Sequence, residues 1–322
     1  MTAAIPRLFN GLTQSRAGRA AMRGLGLVEL PELSGIRLQG ELERRGVKKA
    51  SAPALRALSE AERRNSVIVV QDAFTSYYDS AVVLDFFELL GRLGFTAWIA
   101  PFKPNGKPQH VLGLLARFER TASANARMLS ELAATGVDLV GVDPSMTLAY
   151  RAEYVKALGK ERVPQIFLPQ EWLARRIDEL PSLQADDANA WALLPHCTEK
   201  TNAPAATADW AKVCKRLGVE LRTAPSGCCG MAGLYGHERA HRATSEAIYR
   251  QSWARVVSDP RFAGRLVATG YSCRCQAGLL DGAHLPHPVQ MLLARLKAEE
   301  GTRRPVSLAS GIASAREHHE DF

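Results

Sequence analysis

The chain is expected to fold as an α/β protein of two tandem Rossmann-like repeats with parallel sheets, preceded by a mostly helical N-terminal extension. Three observations carry that expectation. From Ser66 onward, short β-branched runs alternate with segments of helical period. The same order returns in the second half, where Leu217-Gly218-Val219-Glu220-Leu221 matches Leu93-Gly94-Phe95-Thr96-Ala97 at an offset of 124. Five of the six cysteines fall where this reading places strand ends or turns, and none precedes residue 197.

The elements follow in order. Residues 1–62 read as short helical pieces with a turn near Pro31 to Gly35 and no strong core pattern, so they are expected to lie across a neighbouring domain. Arg7, Arg16, Arg19 and Arg23 precede any acidic residue, as in an organellar presequence, but Pro6 and the Gly24-Leu25-Gly26 break argue for a docking segment instead. Val67-Ile68-Val69-Val70 is a buried strand. Val82, Val83, Phe86, Leu89, Leu90 and Leu93 fall at helical spacing behind a cap at Asp79 or Ser80. Phe95 to Ala100 reads as strand, Val111 to Ala134 as one long helix, and Asp138 to Val142 as strand.

The second half repeats the plan with a strand at Trp191 to Leu194, a helix from about Ala205 to Leu217, a long helix from His237 to Val257 and a last strand at Arg265 to Thr269. Each copy spans roughly 110 to 120 residues. The expected division is therefore 1–62 extension, 63–180 first repeat, 181–300 second repeat and 301–322 disordered tail, the tail holding His318 and His319.

Of 322 residues, 46% are hydrophobic and 23% charged, as in an ordinary globular chain. No apolar run approaches the roughly 18 residues a membrane span needs. The net charge of +8 is scattered and lacks aromatic interleaving, which argues against nucleic acid. The expected setting is cytoplasmic and reducing, with peripheral placement at an inner membrane allowed.

The chemistry should lie with the cysteines. Cys197 sits in Pro195-His196-Cys197-Thr198-Glu199, Cys228 and Cys229 lie between glycines in Gly227-Cys228-Cys229-Gly230, and Cys273 and Cys275 lie in Tyr271-Ser272-Cys273-Arg274-Cys275. Strand ends of a parallel sheet converge on one crevice, and flanking glycines let a backbone turn towards sulfur. Cys197, Cys228, Cys229 and Cys273 thus supply four thiolates, enough for an iron-sulfur cluster or a tetrahedral zinc, with His196 and Cys275 as further candidates. Two other readings are unligated buried thiols and a catalytic dithiol at Cys273 and Cys275. Cys214 reads as a core residue. His237 and His241, four apart on the same expected helix, are weaker candidates. Carried through the offset, Cys197 faces Ala73, Cys228-Cys229-Gly230 faces Pro104-Asn105-Gly106, and Cys273 faces Met146, so the first copy has the turns without the thiols. No nucleotide-binding glycine motif is present.

The pattern of one cysteine, then Cys228-Cys229-Gly230, then a last pair, in a duplicated α/β unit, resembles the cysteine-rich CCG domain found in heterodisulfide reductases and in the iron-sulfur component of glycolate oxidase. The runs Pro195 to Thr201, Gly227 to Met231 and Thr269 to Arg274 are more closely similar to the C-terminal part of FAD-linked D-2-hydroxyacid dehydrogenases of the bacterial D-2-hydroxyglutarate dehydrogenase type. The resemblance covers about residues 64 to 297. It implies an electron-transfer module with a 4Fe-4S centre on Cys197, Cys228, Cys229 and Cys273. It also implies FAD and substrate oxidation on a partner flavoprotein or missing half, and onward transfer to a quinone or another acceptor. A zinc-stabilised interaction module is the alternative. The last pair is Cys-x-Cys where that family has Cys-x-x-Cys, and the chain carries no Cys-x-x-Cys-x-x-Cys run.

Overall fold

A computed structural model describes residues 4–185 and 190–303. It is an α/β structure with two parallel sheets. In the first, β1 (Ser66–Val70), β2 (Thr96–Ile99), β3 (Asp138–Gly141) and β4 (Ile166–Phe167) lie in the order β2-β1-β3-β4. In the second, β5 (Trp191–Leu194), β6 (Leu221–Thr223) and β7 (Leu266–Ala268) lie in the order β6-β5-β7.

The two sheets share their registers. Val67 pairs with Ala97 and Trp191 with Leu221, each partner displaced by 124 residues. Ile68 pairs with Leu139 and Ala192 with Leu266, displacements of 124 and 127, which matches the slippage of three seen in the sequence. In place of a fourth strand in the second sheet, a single Ala268 N–H to Pro286 carbonyl bond of 3.0 Å joins the chain to β7.

Alternation along the strands divides the apolar interior. Val67, Val69, Leu193 and Val267 turn towards one core shared by both sheets, while Ile68, Val70 and Leu139 face a second core and Ala192, Leu194 and Ala268 a third. The closing helices are exchanged: Pro169–Arg175 packs on Ala206–Arg216, and Pro288–Arg303 packs on Ser80–Arg92. The carboxyl ends of the two sheets face each other, with Asp143 after β3 accepting a 3.0 Å hydrogen bond from the Tyr271 N–H after β7.

The extension is more integrated than its sequence indicated. Leu38 and Leu42 join the shared core and Leu55 the second one. Lys48 and Ala50 bond to Ile99, adding a short rung to the free edge of β2. Residues 26–34 run as a strap between the sheets, bonded to His237 and Arg239 at one end and to the Tyr77 carbonyl at the other. The helix Ala4–Gln14 passes through Pro6, because a proline in the first turn removes only an N–H that has no intrahelical partner.

Several boundaries differ from expectation. The long helix of the first unit is two, Lys107–Val111 and Leu115–Ala133, broken where Gly113 takes φ +71. The strand β4 is an addition: two residues between Pro164 and Pro169 carry no periodicity to read. The helix expected from His237 begins at Arg242, since the glycine-rich run before it folds as turns. Residues 301–303 of the expected tail belong to the helix Pro288–Arg303; the rest of that segment, with His318 and His319, lies outside the described residues. Among the described residues no helix is long and apolar enough to cross a membrane.

Candidate metal centre

The carboxyl ends of β5, β6 and β7 bring four cysteines together. Cys197 is the first residue of the helix Cys197–Asn202, behind β5. Cys228 and Cys229 lie in the loop after β6. Cys273 is in the first turn of the helix Tyr271–Asp281, after β7. Cys197 and Cys273 therefore stand at helix starts and not in loops. The thiols neighbour one another in turn, Cys197 beside Cys228, Cys228 beside Cys229 and Cys229 beside Cys273, each close enough to act on the next one's ionisation. The neighbouring Cys197 and Cys229 thiols, with the Gly230 N–H at 3.3 Å, push the Cys228 thiol down, and Cys228 in turn pushes Cys197 and Cys229 up.

The backbone around the sulfurs is shaped for close approach. Gly230 takes φ +85, and a Cβ there would overlap the Ser245 carbonyl. A Cβ on Gly270 would overlap the His196 ring and stand 3.3 Å from the Cys273 sulfur. Ala232 alone among the described non-glycine residues has positive φ, at 41. The loop is anchored by the Gly227 N–H to Ser252 Oγ (3.0 Å), by Trp253 Nε1 to the Gly227 carbonyl (3.2 Å) and by Lys200 to the Ser226 carbonyl.

The other candidates separate from this group. Cys275, two positions after Cys273 on a helix, projects to another side, where burial first and then Glu29 push its thiol up to about 11. A Cys273–Cys275 dithiol is therefore not the arrangement the helix presents. His196 caps the helix Cys197–Asn202, its Nδ1 accepting from the Thr198 N–H at 3.2 Å, so that lone pair is engaged. His237 and His241 do not share a helix: His237 closes a turn, and His241 stacks on Tyr235 with ring centroids 4.2 Å apart. Cys214 is wholly buried in the shared core.

The first unit holds the matching positions with other chemistry. Asn105 and Met146 stand where Cys229 and Cys273 stand in the second, and Asn105 Nδ2 lies 3.2 Å from the Met146 sulfur. The facing walls also carry buried acids that the motifs did not reveal. Glu199 accepts from Thr269 Oγ1 (2.6 Å) and from Gln170 Nε2 of the first unit (2.6 Å), and burial pushes its carboxyl up to about 7. Asp72 accepts from the Thr75 N–H and hydroxyl at 2.9 and 2.6 Å.

Burial, and then Asp143, push the Asp72 carboxyl up to about 7. A folded value above the unfolded one means the native state holds this proton more tightly, so the stabilisation is full below about pH 4 and is lost as pH rises towards 7. Asp72→Asn removes the ionisation. Its stability relative to wild type, read from urea midpoints, is expected to rise between pH 5 and pH 8; a difference that stays flat would contradict a buried neutral acid.

The donor set suits a thiolate-bound centre: four cysteines from adjoining strand ends that neighbour one another pairwise, a backbone donor on the Cys228 sulfur, and two glycines whose Cβ positions are taken. Among the described residues no three His, Cys, Asp or Glu side chains stand at the spacing of ligands around a single metal ion.

No protein-family model matches the chain. The chain is similar to bacterial D-2-hydroxyglutarate dehydrogenases. It is 43% identical to that of Pseudomonas putida over 289 residues, 89% of this chain and 28% of the relative, and 41% identical to that of Escherichia coli over 300 residues, 92% and 29%. It is also 23% identical over 247 residues to one of the subunits of the anaerobic glycerol-3-phosphate dehydrogenase of Escherichia coli, 74% of this chain and 61% of that polypeptide. The chain thus spans less than a third of the length of the D-2-hydroxyglutarate dehydrogenases it resembles.

Proposed function

We propose that the chain is a CCG-type iron-sulfur electron-transfer module that works with an FAD-bearing dehydrogenase domain acting on a D-2-hydroxyacid, D-2-hydroxyglutarate in the first instance. The observation that carries the reading is the line of sulfurs Cys197, Cys228, Cys229 and Cys273 at adjoining strand ends. The likeness to dehydrogenases more than three times as long supports it.

In this reading the four thiolates hold the centre, which when bound would take up and pass on single electrons. The chain's own residues do the rest. The Gly230 N–H places positive dipole on the Cys228 sulfur, and Gly270 leaves room beside Cys273. The first unit, through Asp143, Asp79 and the aromatic contacts of Phe74 and Tyr78 with Tyr271, holds in place the helix that carries Cys273. Oxidation of the hydroxy acid belongs to the FAD domain outside this chain, and a quinone or another carrier accepts the electrons.

The test is the visible absorption of anaerobically purified protein before and after dithionite. A broad iron-thiolate band that bleaches on reduction is expected; a colourless protein holding zinc would replace this reading with a structural one.

A further inference from the structure

His196 carries a ring N–H beside the cysteines that the surrounding protein does not use. Its Nδ1 accepts from the Thr198 N–H at 3.2 Å, so that nitrogen offers its lone pair and the ring proton sits on Nε2. Bonds on the backbone hold the residue in place. The His196 N–H donates to Thr269 Oγ1 at 2.9 Å, and Thr269 Oγ1 donates to Glu199 at 2.6 Å, which ties the end of β5 to the end of β7 one residue before Gly270. A Cβ on Gly270 would stand 2.3 Å from His196 Cδ2 and 3.3 Å from the Cys273 sulfur, so the ring edge and that sulfur flank one point. Nε2 is the atom bonded to Cδ2 on this edge. His196 is only 6% exposed, yet among the described residues Nε2 makes no hydrogen bond. A donor in so buried a side chain ordinarily has a partner.

We propose that His196 is not a ligand of the centre but an outer hydrogen-bond donor to it, with Nε2–H directed at the Cys273 sulfur, and that it raises the centre's reduction potential; this rests on the function proposed above. A ligand would need the Nε2 lone pair, which the tautomer set by Thr198 does not offer. A donor to sulfur favours the reduced state, because the added electron makes the sulfurs better acceptors. The first unit separates this role from capping. At the offset of 124 the counterpart of His196 is Asp72, which caps its own helix by accepting from the Thr75 N–H at 2.9 Å. An acceptor alone thus serves the cap in the unit that lacks the thiols. Histidine is not among the favoured caps, and what it adds in the second unit is the N–H on the far side of the ring.

The test uses the full chain, purified without oxygen, as wild type and as His196→Asn. Asparagine is a favoured cap whose amide oxygen accepts in place of Nδ1, but it is too short to put a donor where Nε2 stands. Iron and labile sulfide per folded chain are expected to stay at the wild-type level. The equilibrium constant for one-electron reduction is expected to fall about tenfold, a drop in midpoint potential of about 59 mV. His196→Gln, whose longer amide brings an N–H back towards the place of Nε2, should recover most of that drop. In wild-type protein labelled with heavy-nitrogen histidine, the reduced centre should show the weak nitrogen coupling of a hydrogen-bonded ring in its spin-echo spectrum, and the Asn variant should lack it. An unchanged potential in the Asn variant, no histidine coupling in the wild type, or the strong coupling and iron loss of a directly bonded nitrogen would each overturn the assignment. Wild-type protein without iron would defeat the function proposed above, and with it the role of His196.

Discussion

Replacing Cys229 by serine is expected to remove most of the bound metal while the protein stays folded. Cys229 is buried between two of the other thiols, with Cys228 on one side and Cys273 on the other. A hydroxyl in its place is a harder and weaker ligand, and it leaves the remaining thiolate charge without a shared cation. Two controls fix the meaning of the result. Met146→Ala alters the first-unit counterpart of Cys273, buried beside Asn105, and should cost packing of about 2 to 5 kcal/mol with metal per folded chain unchanged. Cys214→Ala, in the shared core, should likewise lower stability and leave metal in place. Metal analysis of the three variants, normalised to folded protein, decides the matter: a Cys229 variant with its full complement, or a Met146 variant without it, would move the centre elsewhere.

Arg274→Ala is the second large effect, and it acts on how the units are joined. The Arg274 guanidinium pairs with Asp79 at 2.5 Å across the crevice, with only 11% and 16% of the two side chains exposed. Burial pushes the Asp79 carboxyl up and Arg274 opposes that shift. Removing the arginine leaves a carboxylate in a poorly solvated place, which destabilises by about 3 kcal/mol, the lower end of the range for a broken buried pair because both groups keep some water. Urea denaturation measures it. A loss below about 1 kcal/mol would place this pair with ordinary surface ion pairs.

The strand ends were legible because parallel strands buried on both faces must be apolar and β-branched, as Val67 to Val70 are. The recurrence at 124 residues was legible for the same reason, and Gly94 and Gly218 mark it with φ +89 and +73. What could not be read depended on tertiary contacts. Two residues of β4 have no period. Gly113 breaks a run of residues that otherwise suits a helix. The capping role of His196 needs the helix start to be known. Cys273 and Cys275 looked like one pair in a turn, yet Gly270 caps a helix there and sends the two thiols to different sides. Burial of Asp72 and Glu199 arises only when the two sheets face each other, so no local pattern announced carboxyls with pKa near 7. The extension misled in the opposite sense, since Leu38 and Leu42, four apart on one short helix, and Leu55 on another are too few to mark a core stripe and find their places in two different cores.

The central claim is that Cys197, Cys228, Cys229 and Cys273 hold an iron-sulfur centre, and the most direct measurement is iron, acid-labile sulfide and zinc per chain in protein purified without oxygen. The account predicts iron and sulfide in comparable amounts, several of each per chain, with little zinc. One zinc per chain and no labile sulfide would contradict it.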